Sequence, residues 1–181
     1  MTNSEIISML EGQGLSCACD SDGKVTTITV QDMANISSYE LYDIPEQLDL
    51  IIPDGMKSIG WKEAAMSSGP FFASRIRSVR FPESLEYIGA YAFFDSELEN
   101  VVIPASVREI GEECFSHTDI ESITFLGTDI KLGECCFPYG SISVLKEIHI
   151  PAGSTGIFRG KLPEFFWKML KDDLNGNLQA L

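Results

Sequence analysis

The chain has 181 residues, 44% of them hydrophobic, which is enough for one sizeable core and too little for two. Its formal charge is −14, from 27 Asp and Glu against 13 Lys and Arg, and its pI is near 4.4. Clustered cations drive association with nucleic acid and with anionic membrane surfaces, so neither is expected as a partner, and no apolar run approaches the roughly 20 residues of a membrane-spanning helix.

In chain order, "TNSEIISMLEG" predicts a short helix. Thr2 and Glu5 form a capping box, Ile6, Met9 and Leu10 share one face, and Gly12 is the stop. "GLSCACDSDGKVTTITV" alternates on both sides of Asp20-Ser-Asp-Gly23, as a hairpin does. No basic stretch precedes an apolar one before Lys24, so the chain as written predicts a cytoplasmic protein, or a surface or secreted one if a leader has been removed. Residues 1–46 are read as an N-terminal cap, 47–160 as repeats and 161–181 as a C-terminal cap of one domain.

The repeats are the dominant signal. "IRSVRFPESLEYIGAYAFFDSE" starts at Ile76, "LENVVIPASVREIGEECFSHTD" at Leu98 and "IESITFLGTDIKLGECCFPYGS" at Ile120, at a spacing of 22 residues. "LKEIHIPAGSTGIF" at Leu145 keeps half the pattern, and "LIIPDGMKSIGWKEAA" from Leu50 is an earlier, less regular copy. A period of 20–29 residues belongs to leucine-rich-repeat solenoids, whose units must stack because none covers its own apolar face. Within a unit, apolar residues such as Ile148 and Ile150 alternate with polar ones in a short strand, and Pro53, Pro82, Pro104 or Pro151 ends it. A second inward pair follows: Leu85 with Ile88, Val107 with Ile110, and Asp129 or Ile130 with Leu132. Gly60, Gly89, Gly111 and Gly133 come next, where either positive φ or crowding excludes a Cβ. A small residue and a Phe close the unit (Ala92-Phe93, Cys114-Phe115, Cys136-Phe137), predicting a buried aromatic spine. Cys114 and Cys136 are therefore read as small buried hydrophobes.

The block "IP-x-S-V/L-x-x-IG-x-x-AF" resembles the BspA-like, treponemal-type leucine-rich repeats, over residues 50 to about 158. The resemblance implies an α/β repeat solenoid with a right-handed stack and a concave parallel sheet, used for protein–protein or host-surface attachment. A helix and hairpin are expected to cap its N-terminal end. "LPEFFWKMLKDDLNG" predicts the other cap, a helix with Leu162, Phe165, Phe166, Met169 and Leu170 on one stripe and Gly176 at its end. Trp167 lies off that stripe and is expected to pack beside the cap.

The outward strand positions form two predicted rows: Ser78, Asn100, Ser122 and Glu147, and Arg80, Val102, Thr124 and His149. Two insertions break the beat, "MSSGPFFASR" and "PYGSISV", and would place Phe71, Phe72 and Tyr139 at the rim of the concave face. Phe71 or Phe72 can instead supply the spine ring that the first unit lacks. No phosphate loop, metal-ligand spacing or nucleophile elbow occurs, so no catalytic, metal or cofactor site is predicted. The expected function is non-enzymatic binding of a protein partner through the concave sheet and the insertions. The alternatives are an adhesive segment of a bacterial surface protein and an acidic intracellular inhibitor or immunity protein.

Overall fold

A computed structural model describes residues 2–33, 41–61, 69–139 and 144–174. The chain opens with α1 (Asn3–Gly12), whose capping box forms as the sequence predicts. Glu5 N–H donates to Thr2 Oγ1 (3.3 Å) and Thr2 N–H to Glu5 Oε2 (2.7 Å). Ile6 and Leu10 are buried. The reversal falls at Gly14, with φ +77°, and not at Gly12. β1 (Leu15–Cys19) and β2 (Val25–Val30) pair antiparallel around a turn in which Asp20 Oδ1 accepts the N–H groups of Asp22 and Lys24.

The hairpin is part of the stack, because β2 pairs parallel with β3 (Leu48–Ile51) and β3 with β5 (Ile76–Arg80). Beyond them β7 (Asn100–Ile103), β9 (Ser122–Phe125) and β11 (Glu147–Pro151) run parallel in register. One bond from Glu99 N–H to Arg77 O (3.1 Å) ties the two groups, so these strands make one long face. A second face consists of the two-residue strands β4 (Ser58–Ile59), β6 (Tyr87–Ile88), β8 (Glu109–Ile110) and β10 (Lys131–Leu132), also parallel. Turns close each rung. The molecule is thus a parallel-sheet solenoid, as the 22-residue period requires.

The interior is the predicted spine. Phe71, Phe93, Phe115 and Phe137 stack at centroid spacings of 5.1, 5.5 and 5.9 Å, with interplanar angles of 22° or less. Phe71 supplies the missing first ring. Cys114 and Cys136 lie buried beside it, and Ile130, not Asp129, faces inward. Of the repeat glycines only Gly60 has positive φ (+68°). At Gly89, Gly111 and Gly133 the reason is close approach: a Cβ would lie 2.8, 2.3 and 2.4 Å from backbone atoms of the preceding rung.

Positive φ is instead taken by Tyr91, Glu113 and Cys135, and by Ala73, Asp95 and His117, each series 22 residues apart. This conformation is unfavourable for residues with a Cβ. It recurs because it aims N–H groups along the stack: Tyr91 N–H donates to Glu112 O (3.0 Å), Glu113 to Glu134 O (2.9 Å) and Asp95 to Ser116 O (2.9 Å). The stacking bonds offset the local backbone cost.

The C-terminal cap departs from the predicted helix. After α2 (Thr155–Arg159) the chain forms a 3-10 helix over Glu164–Met169, then β12 (Leu170–Leu174), which pairs parallel with β11. The open edge of β11 offers unpaired backbone groups, and pairing them outweighs the helical preference of Lys-Asp-Asp-Leu. Asp172 fastens the strand, accepting from Gly153 N–H (2.6 Å) and Thr155 Oγ1 (2.5 Å). Leu162 and Phe166 are buried, but Phe165 of the predicted stripe is exposed. Trp167 packs at the cap as expected, donating to Leu162 O (3.1 Å) under the Arg159 guanidinium. Gly176 lies outside the described residues, as do positions 62–65 at the end of the first copy, 66–68 of the first insertion and 140–143 of the second.

Candidate functional site

The strand registers bring the predicted outward residues together in two rows. Ser78 stands beside Asp49, Asn100 beside Ser122, and Ser122 beside Glu147; Arg80 stands beside Ile51, Val102 beside Thr124, and Thr124 beside His149. An open groove of about 680 Å³ crosses this face toward the C-terminal ends of the strands. Of the predicted residues, Ser78, Arg80, Val102 and Thr124 line it, while Asn100, Ser122, Glu147 and His149 lie outside it.

Arg80 is exposed in this groove, and among the described residues its side chain has neither an ion pair nor a hydrogen bond. The cations nearest it in the chain are engaged: Arg75 holds Glu97 (2.9 Å) and Arg77 holds Asp49 (3.1 Å). Phe81, Pro82, Val102, Pro104 and Leu126 surround Arg80 with apolar surface, and Asp54 and Glu83 add carboxylates. A guanidinium beside apolar walls can bind a carboxylate bidentately or stack on an aromatic ring.

The rest of the face is set by local ion pairs. Arg77 and then the Ser78 hydroxyl (2.6 Å) hold the Asp49 carboxyl below its ordinary pKa. His149 sits between Glu147 (Nε2 to Oε2, 3.3 Å) and Asp173 of β12 (Nδ1 to Oδ2, 3.1 Å). His149 is therefore committed to its neighbours, unlike Arg80. Sequence reasoning missed Asp49, Ile51 and Asp54 in this site. Aligning Pro53 with Pro82 places Asp49 with Ser78 and Ile51 with Arg80, so the signal was present.

The predicted aromatic rim does not form. Phe71 is fully buried in the spine, because the unit otherwise leaves a hole there. Phe72 lies half-buried against Phe94 (5.6 Å, 5°) in a second aromatic row, and Phe94 in turn meets His117 (4.9 Å). Tyr139 is exposed, but it faces Phe165 at the C-terminal end of the stack and does not line the groove.

All five cysteines are free. Burial pushes the Cys114 and Cys136 thiols well above their ordinary pKa, and the Cys17 thiol to about 11, with Glu11 adding to the shift. Cys19 and Cys135 are exposed. A disulfide reagent at pH 8 should therefore modify Cys19 and Cys135 rapidly, Cys17 slowly, and Cys114 and Cys136 only after unfolding; rapid loss of all five thiols in the native protein would contradict the burial. Among the described residues no cluster of three or more His, Cys, Asp or Glu can hold a metal ion.

A family model agrees with this architecture. The family model for the BspA type leucine rich repeat region matches residues 64–161, in six copies. The crystal structure of a leucine-rich repeat protein from Bacteroides ovatus is similar at 27% identity with a TM-score of 0.45, over 56% of this chain. The chain spans about a quarter (25%) of that protein's length. No curated protein matches the sequence.

Proposed function

Because the chain belongs to the BspA-type leucine-rich repeat family, we propose that it is a non-enzymatic binding module. It holds a protein partner on the long sheet, centred on the groove around Arg80. The observation that supports this is the contrast within one strand: the Arg80 guanidinium, without a partner among the described residues, stands in a groove with apolar walls, while Arg77 of the same strand is paired with Asp49 and Arg75 just before it with Glu97. An exposed arginine beside apolar surface is the kind of residue that dominates a protein interface once a partner covers it. Of the predicted contacts, Ser78, Arg80, Val102 and Thr124 form the centre and Asn100, Ser122, Glu147 and His149 the flank. Phe71 has no part in it, and Phe72 and Tyr139 lie away from the groove.

No helix among the described residues is long and apolar enough to cross a membrane. The first candidates are protein partners that present a carboxylate beside an aromatic or aliphatic side chain, the chemistry that suits the Arg80 guanidinium and its apolar surroundings.

Arg80→Glu is the discriminating change, with Lys168→Glu as the surface control. Arg80→Glu should reduce capture of the partner by about tenfold or more, with an unchanged circular dichroism spectrum, while Lys168→Glu leaves capture intact. Equal capture by both variants would refute the assignment of the groove.

A further inference from the structure

The end of the stack near β10 carries a second, differently built site. Each junction between successive rungs on that side is closed by the same three backbone bonds. Between the rungs of Ile88 and Ile110, Gly111 N–H donates to Ile88 O (2.8 Å), Tyr91 N–H to Glu112 O (3.0 Å) and Phe93 N–H to Cys114 O (2.9 Å). The next junction repeats the set 22 residues on, with Gly133 N–H to Ile110 O (2.8 Å), Glu113 N–H to Glu134 O (2.9 Å) and Phe115 N–H to Cys136 O (2.9 Å).

The following members of these three series are Leu132 O, Cys135 N–H and Phe137 N–H. None of them has a hydrogen-bond partner among the described residues. A fourth series is already closed: Ile130 O, the successor of Glu86 O and Arg108 O, accepts from Lys161 Nζ at 2.7 Å. Of these four positions, one is therefore capped and three have no partner among the described residues.

A cleft of about 460 Å³ lies at these open groups, between the last complete turn and the chain that leads into the 3-10 helix. Leu132, Tyr139, Leu162, Phe165 and Phe166 give it apolar walls. Tyr139 and Phe165 are exposed there with their rings 6.5 Å apart.

We infer that this cleft binds one extended peptide segment of a partner protein, which completes the hydrogen-bond ladder as a further rung. The pattern of open groups selects the ligand. One acceptor and two donors require a chain that supplies an N–H at one residue and carbonyls one and three residues later, as Gly111, Glu112 and Cys114 do one junction earlier. A simple anion meets only the two donors. The residue that donates to Leu132 O has to be glycine, because a Cβ on Gly111 or Gly133 at the equivalent place comes within 2.3 or 2.4 Å of the rung beneath. Phe137 is buried, so the spine is already covered and the segment's apolar side chain lies against the paired rings of Tyr139 and Phe165. The site is separate from the long-sheet groove and does not depend on that reading.

The probe is a synthetic peptide copying Arg108–Thr118 with alanine in place of Cys114, titrated into the uniformly 15N-labelled full chain. Saturable shifts of the Gly133, Cys135 and Phe137 amides are expected, with none at Arg80. The same peptide with alanine for its glycine should bind about tenfold more weakly or worse, and Phe165→Ala in the protein should weaken the parent peptide without disturbing the spectrum elsewhere. Four results would each overturn the proposal: no saturable shift, equal binding by the two peptides, the same shifts from sodium acetate alone, or shifts that grow with protein concentration in the absence of peptide. The last would place a second copy of the chain in the cleft.

Discussion

Gly111→Ala is expected to destabilise the protein by about 3 kcal/mol or more, a larger loss than adding a single methyl group usually causes. The added Cβ would lie 2.3 Å from Ala90 N and 2.7 Å from both Ala90 Cα and Gly89 C. These are backbone atoms in a hydrogen-bonded ladder, so no side chain can rotate away. Relief requires the two rungs to separate, and separation breaks the bonds from Gly111 N–H to Ile88 O and from Tyr91 N–H to Glu112 O. In a chain of this length, 3 kcal/mol corresponds to about 6–12 °C in Tm. Gly12→Ala is the control, since no atom lies within 4 Å of its added Cβ and alanine is favoured in a helix. If Gly111→Ala lowered Tm no more than Gly12→Ala does, the close approach between rungs would be wrong.

The spine gives the second large effect. Phe93 contacts Phe71 (5.1 Å), Phe115 (5.5 Å) and, edge-on, Phe81 (5.9 Å), and it has no exposed surface. Phe93→Ala would remove the middle of the stack, and neighbours held on both sides by strands cannot collapse into the space. A cost of about 3–5 kcal/mol is expected, as for other phenylalanines removed from rigid cores. Phe72→Ala removes a ring of the same size from the second aromatic row, where the side chain is half-buried and water fills part of the gap. It should cost clearly less, about 1–2 kcal/mol. Denaturant midpoints for the two variants test the ranking, and equal losses would mean that the buried spine contributes no more than the second aromatic row.

These two residues show how unevenly the sequence speaks. Phe93 and Gly111 are legible because they recur: a ring or a glycine at a fixed interval of 22 residues has to sit at one place in every rung. The reason for the glycine was not legible, since positive φ and close approach leave the same mark in a sequence. Only the distance to the adjacent rung separates them, and it assigns positive φ to Gly60 and steric exclusion to Gly89, Gly111 and Gly133. The positive-φ series through Tyr91, Glu113 and Cys135 gave no signal at all, because these residues share no side-chain property. Their backbone is held by bonds between rungs, which composition does not record.

The candidate sites divide in the same way. The alternation of each strand placed Ser78, Arg80, Val102 and Thr124 on one face before any coordinates, because the period of a strand fixes which side chains share a side. That Arg80 lacks a partner while Arg77 holds Asp49 depends on side chains from rungs 28 or 29 residues away, which no local pattern links. Phe71 and Phe72 are adjacent in sequence, and the depth of the cavity left by the first unit decided that one fills the spine and the other lies outside it.

The sequence by itself determined the repeat, its inward residues and the N-terminal cap, since each is a matter of spacing along the chain. The tertiary structure alone decided how the stack ends. The "EFFWKMLKDDL" segment carries an apolar helical stripe, yet the open edge of β11 draws Leu170–Leu174 into a strand, since unpaired backbone groups at a sheet edge outweigh a local preference. It also decided that Leu132 O, Cys135 N–H and Phe137 N–H have no hydrogen-bond partner among the described residues. Stacking satisfies each short strand through the next, and among the described residues none pairs with β10 on its outer side.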